Sequence, residues 1–219
     1  MTEALTIGVV PGVTPDKWLR AWRERMPEVP LHVVALEDRD AGAALTASGI
    51  DMVFVRLPLT GVDPGDVHVI PLWEETPMVV AGKDHPVKVF DAVTLADLAD
   101  EEVYPGWDDA TLDIVAAGHG VARMPQAVYR ATGRRDVVAR EISDAEPTRI
   151  ALAWWKATSG ALVDEFIGIV RGRTTNSSRG VPTPPAPPEA KKPRPAPAAK
   201  KKGQQTSRGR SGRTTGRRH

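Results

Sequence analysis

The sequence predicts an α/β fold built on a parallel sheet, and three stretches carry that prediction. LTIGVV (5–10) is an apolar, largely β-branched run of the length expected for a strand buried on both faces. LHVVAL (31–36) and IDMVFVRLP (50–58) repeat the signal. Between the first two strands, Trp18, Leu19, Trp22 and Met26 recur at helical spacing, with Lys17, Arg20, Arg23 and Glu24 largely off that stripe. Between the second and third, DAGAALTASG (40–49) reads as a short helix stopped by glycine. The order is βαβαβ, so the strands should run parallel with right-handed crossovers.

The first turn of this unit joins strand to helix. Pro11 and Gly12 end the strand, Thr14 is the expected N-cap, Pro15 the first helical residue, and Asp16 complements the helix dipole. Open α/β sheets bind ligands at the carboxyl ends of their strands. Gly12, Val13 and Thr14 stand at one such end, where they either hold a small anion or merely connect two elements. Arg56, Leu57 and Pro58 stand at another. There Arg56 offers a bidentate donor for a carboxylate, or pairs with a local acid such as Asp63.

Beyond a turn-rich loop at Gly61, Pro64 and Gly65, residues 67–75 and 76–86 read as extended. VTLADLAD (93–100) should be a helix capped by Thr94, and EEVYPGW (101–107) a short strand running into a turn. DDATLDIVAAGHG (108–120) reads as a helix closed by Gly118, followed by a strand, GVARMP, and by a helix stopped at Gly133. Residues 136–142 are extended, and 149–156 form a further strand. A last helix, 158–172, opens with a Ser/Thr cap and spaces Leu162, Phe166, Ile169 and Val170 so as to pack back on the first sheet.

Charge divides the chain. Residues 1–170 hold 15 Lys/Arg against 27 Asp/Glu, whereas residues 171–219 hold 14 against a single Glu. Cysteine is absent, which excludes disulfides and thiolate metal sites. The start shows no secretory signal, and no apolar run is long enough to cross a bilayer, so the expected setting is cytoplasmic and no membrane partner is implied. Asp108, Asp109, Asp113 and His119 look at first like metal ligands, but a solvated acidic helix face with a capping role is the better reading. No metal or other cofactor is implied. No Ser-His-Asp order, phosphate-cradling glycine loop or activated carboxylate pair appears, so no catalytic residue is assigned.

From Thr174 apolar periodicity stops. The Pro-rich linker and Lys/Arg-rich tail over 174–219 cannot bury enough apolar surface to offset chain entropy and are expected to be disordered when free. Arg208-Gly-Arg210 resembles the core of the AT-hook without its flanking prolines, and the stretch ending in Lys200, Lys201 and Lys202 resembles the Lys/Ala/Pro tails of nucleoid and linker-histone proteins. Together with Lys191, Lys192, Arg194, Arg213, Arg217 and Arg218, these cations are expected to follow the phosphates of DNA or RNA. The tail has no aromatic residue for stacking on single strands. The competing reading is a solubilising tail without a dedicated target.

The order of motifs over residues 5–170, including VHVIPLWEETPMVVAGKDHPV, VAAGHGVARMP and RIALAWWK, resembles the effector-binding domain of LysR-type transcriptional regulators. The resemblance implies a two-lobed, periplasmic-binding-protein-like (type II) α/β domain, with TPMVVAGK and TRIALAWWK as the two crossings. The first lobe would comprise residues 1–83 and 149–173. The second, 84–148, would be truncated, because between Trp107 and the helix at Asp109 there is no room for the family's usual extra strand and helix. The family's winged helix-turn-helix is expected to be missing. The implied ligand cleft adds Trp107, His119 and Gly120 to the loop residues above. The expected function is a non-enzymatic effector-binding module, acting as a transcription regulator or nucleoid-associated protein through its tail. A small acidic effector and a homodimer, or a heterodimer with LysR-type regulators, are the expected partners. The alternative is a stand-alone ligand-binding or partner-dimerisation module whose tail is incidental.

Overall fold

The computed structural model describes residues 4–173 except Ser48 and Ser159; the linker and tail expected over 174–219 lie outside the described residues. The opening βαβαβ is present. Strand β1 (Leu5–Val9) leads through α1 (Asp16–Arg25) to β2 (Leu31–Ala35), and α2 (Ala41–Thr46) leads to β3 (Met52–Leu57). Both β2 and β3 pair with β1 in parallel. The helix start differs by one position from expectation. Pro15 occupies the N-cap, Thr14 makes no capping bond, and the carbonyl of Pro15 accepts from Trp18 and Leu19.

The chain continues through β4 (Val67–Glu75) and almost without a break into β5 (Pro77–Gly82). Then come β6 (Ala92–Val93), β7 (Val103–Tyr104), α3 (Asp109–Ala116), β8 (Val121–Pro125), α4 (Gln126–Thr132), β9 (Val137–Ile142), β10 (Thr148–Trp155) and α5 (Ala161–Val170). Two five-stranded sheets result, ordered β2-β1-β3-β10-β4 and β6-β9-β5-β8-β7. The chain leaves the first sheet at Thr76 and returns between β9 and β10. The second sheet therefore starts at residue 77, earlier than the 83/84 boundary expected from sequence, because β5 pairs along its length with both β8 and β9. Its outer strands, β6 and β7, are two residues long.

The first lobe is held by an aromatic chain. Trp18 stacks between Trp73 (5.9 Å) and Phe54 (5.3 Å); Phe54 meets Phe166 edge-on at 6.3 Å, and Phe166 reaches Trp22 at 5.8 Å. These rings tie α1 and α5 to β3 and β4, as the periodicity of both helices predicts. No side chain caps α5, which starts after Gly160 in place of the expected Ser/Thr cap.

In the second lobe α3 has a complete set of end signals. Asp108 accepts from the Thr111 amide at 2.9 Å. At the other end, Gly118 (φ +89°) donates to Val115 and His119 to Ile114, the two bonds of a Schellman motif. Thr94 and Asp97 cap each other's amides, but the turn they start is only a 3-10 helix, Ala96–Leu98, where a longer helix was expected. Its exposed polar and alanine positions leave only Leu98 to bury, too little to support an α-helix by packing.

Phe166 is fully buried at the junction of α1, β3 and α5. Phe166→Ala should lower unfolding stability by about 3–5 kcal/mol in urea titrations. A loss under about 1 kcal/mol would mean that α5 is not an integral part of the first core.

Candidate ligand cleft between the lobes

Where the two sheets meet, loops from both lobes enclose a cleft of about 500 Å³. The first lobe supplies Pro11, Glu37, Asp38 and Arg39; the second supplies Gly106, Trp107, Asp108 and Asp109, with Val128, Ala131 and Thr132 of α4. The lobes touch at one side of it. Gly12 (φ +77°) lies so close to α4 that a Cβ there would come within 2.8 Å of the Ala127 and Val128 backbone. Only glycine satisfies both the dihedral and the approach.

Arg56 stands behind the first-lobe wall, with its side chain 8% exposed. Its Nε and one Nη donate to the two oxygens of Glu75, at 2.6 and 3.0 Å. The other Nη donates to both oxygens of Asp38, at 2.9 Å each. The remaining N–H reaches the Pro11 carbonyl at 2.7 Å. All three guanidinium nitrogens are thus engaged. Glu75, 3% exposed, also accepts from the Thr148 hydroxyl at 3.2 Å. Burial opposes the Arg56 charge, but the bonds and charges of Glu75 and Asp38 outweigh it and hold its pKa above the ordinary value. Asp38 is raised above the usual carboxylate range: burial, helped by the nearby Glu75 and Glu37 charges, prevails over attraction to Arg56. Asp108 lies below that range, because the Thr111 amide donates to it.

The sequence-derived candidates disperse. Trp107 lines the cleft, and Gly12 stands at its edge against α4. Val13 and Thr14 line a different crevice, of about 760 Å³, between the start of α1 and the end of β2. Arg56 is an internal ion-pair residue whose acids are Asp38 and Glu75; Asp63 instead accepts from the amide of Gly65. Leu57 and Pro58 leave β3 without lining the cleft. His119 and Gly120 stand at the start of β8, whose other end, Pro125, pairs with Pro77 beside the crossing. Five residues of strand place them about 17 Å from it, outside the cleft. The four groups weighed as metal ligands do not converge: Asp108 caps α3 and Asp113 pairs with Arg134 at 2.7 Å. Among the described residues no group of three or more His, Asp or Glu could hold a metal ion.

Sequence reasoning missed Glu37, Asp38 and Arg39. They directly follow the second strand, so the carboxyl-end rule that singled out Thr14 and Arg56 applies to them equally. The α4 residues had no such signal; only the folding of one lobe against the other brings them there.

Two sheets, two crossings and a cleft at their junction define a two-lobed α/β domain of the periplasmic-binding (type II) class. Residues 2–104 match the family model described as LysR substrate binding domain. The effector-binding domain of a BenM variant aligns at a TM-score of 0.63 with 20% identity, over 77% of this chain and 93% of that one. The BenM effector-binding domain with its effector benzoate aligns at 0.61 with 20% identity, over 77% and 90%. A cysteine-to-serine mutant of Corynebacterium glutamicum OxyR, with hydrogen peroxide bound, aligns at 0.60 with 24% identity, over 78% and 64%. The chain therefore spans most of the isolated effector domains but only about two thirds of the longer regulators, and it carries their effector-domain fold. A search of curated proteins finds no match.

Two outcomes follow from the Arg56 cluster. Arg56→Ala should cost about 3–5 kcal/mol, because it leaves the Glu75 carboxylate buried and unpaired, whereas replacing Arg56 by Met and Glu75 by Gln together should recover most of that loss. Full stability in the single variant would refute the role. The second outcome concerns Asp38. Its folded pKa exceeds its unfolded value near 3.8, so the folded state binds the extra proton, and Asp38 favours folding most below that value and least once pH has risen past the raised pKa. Asp38→Asn should therefore gain on wild type between about pH 4 and about pH 7 in urea titrations. The opposite trend would show that Arg56 wins over burial.

Proposed function

We propose that this chain is a non-enzymatic, LysR-like effector-binding regulatory module, acting as a transcription regulator or nucleoid-associated protein that contacts DNA through its basic C-terminal residues. The observation that carries the first part is the interlobe cleft, whose walls come from both lobes, so that a bound ligand bridges them and favours one relative placement over others. The BenM and OxyR effector domains that share this fold support it. The second part rests on composition: 14 Lys/Arg against one Glu over residues 171–219, attached to a body with a large excess of acid.

A second reading, a stand-alone partner-dimerisation module with an incidental tail, is favoured by β2. Among the described residues this strand pairs on one side only, and it carries Val33 and Val34 exposed at 47% and 38%, an open edge of the kind a partner chain can cover.

DNA retention separates the two. Under the first reading the full chain binds duplex DNA with a log–log salt slope near −5, from about six neutralised phosphates. Ending the chain at Arg173 abolishes this binding. Replacing both Arg208 and Arg210 by Lys keeps most of the affinity and removes a preference for A·T-rich sequence. If the shortened chain binds DNA as well as the full one, the tail has no such role and the second reading stands.

A further inference from the structure

We propose that the interlobe cleft takes a cation: a primary amine or guanidinium on a short apolar stem. This rests on the reading of the cleft as a ligand site and replaces the small acidic effector expected from sequence. Four carboxylates face or border the cavity, Glu37 and Asp38 from the first lobe and Asp108 and Asp109 from the second. Against them stands one cation of the lining, Arg39, whose side chain is 83% exposed and lies 3.9 Å from Asp40.

Arg56 is the group that would otherwise select an anion, and it is already engaged. Each of its three guanidinium nitrogens donates to Asp38, Glu75 or the Pro11 carbonyl, and its charge is outnumbered by those of Asp38 and Glu75. The positive end of α3 is likewise occupied, by the Asp108 carboxylate. An entering carboxylate would meet an excess of like charge, with Arg39, which extends into solvent beside Asp40, the one guanidinium of the lining to receive it. An entering cation meets the opposite. Among the described residues the side-chain carboxylates of Glu37 and Asp109, one on each lobe, make no hydrogen bond or ion pair, so a ligand with two cationic ends can engage both and draw the lobes together. In the same lining Trp107 offers a ring for a cation and, with Val128 and Ala131, an apolar wall for the stem. The same chemistry is available from two sources, a free small molecule or the Lys/Arg residues beyond position 190 of this chain.

The test is calorimetric titration of the full chain at low salt with agmatine, which carries an amine and a guanidinium, and with benzoate as the anionic probe. Agmatine should bind. Glu37→Gln and Asp109→Asn should each weaken it about tenfold, as loss of a hydrogen bond to a charged group does. Asp91→Asn, an exposed acid outside the cleft, should leave it unchanged. Repeating the titration on the chain ended at Arg173 identifies the source: tighter binding there marks the chain's own cations as the competing occupant, and equal affinity marks a free small cation. Benzoate binding with agmatine silent in both chains would overturn the proposal and leave the cleft a ligand site. Silence towards both probes in both chains would overturn the cleft reading as well. Agmatine binding unaffected by either cleft variant would also refute the proposal, since the cation would then sit elsewhere.

Discussion

Arg56 holds together parts of the first lobe that the chain order keeps apart. Its guanidinium joins the end of β3 to Glu75 at the end of β4, to Asp38 in the turn after β2, and to the Pro11 carbonyl after β1. Thr148 at the start of β10 joins through Glu75. A lysine could not replace it, since a point charge with three donors cannot serve two carboxylates and a carbonyl in fixed planar geometry. The cluster also lies where the chain changes sheets, directly before Thr76 on the way out and at Thr148 on the way back. Its geometry therefore sets the first-lobe wall of the cleft and anchors both crossings.

Two carboxylates around one arginine leave an excess of negative charge, and the cleft inherits it. Asp38 is both a partner of Arg56 and part of the cavity wall, so the ion-pair network and the cleft are electrostatically one system. A bound cation would stabilise the ionised form of Asp38 that burial disfavours. On the proposed reading, a cation in the cleft would couple to the packing of the β2 turn against β3 through this single side chain.

A shared architecture does not fix ligand chemistry. The BenM effector domain that aligns with this chain holds benzoate, an anion, on the same two-lobed frame. The frame depends on apolar periodicity and crossings, which tolerate wide sequence change; the cleft depends on a few loop side chains, which do not. In this chain those loops carry four acids against one arginine, Arg39, which extends into solvent, while Arg56 faces inward onto Asp38 and Glu75.

The strands, the helices and their order were legible in the sequence because each rests on local periodicity and end signals. Leu5–Val9 is apolar but for Thr6, α1 repeats its tryptophans at helical spacing, and α3 carries its own cap in Asp108 and its stop in Gly118. The return of α5 onto the first lobe was readable for the same reason, since Leu162, Phe166 and Ile169 form a stripe that must be buried somewhere. The Thr94 segment fell short because a good cap cannot sustain a helix that has almost nothing to bury. What only the tertiary structure decided was which polar groups meet. Arg56 reads identically in sequence whether it faces a ligand or two acids, the half-buried Asp38 and the buried Glu75, lying 18 and 19 residues away. His119 and Trp107 both border the same helix, yet only Trp107 reaches the cleft, because strand direction carries the start of β8 away from the crossing. Local pattern determines an element; the partners of a charge are set by distances between elements, and those exist only once the sheets have formed.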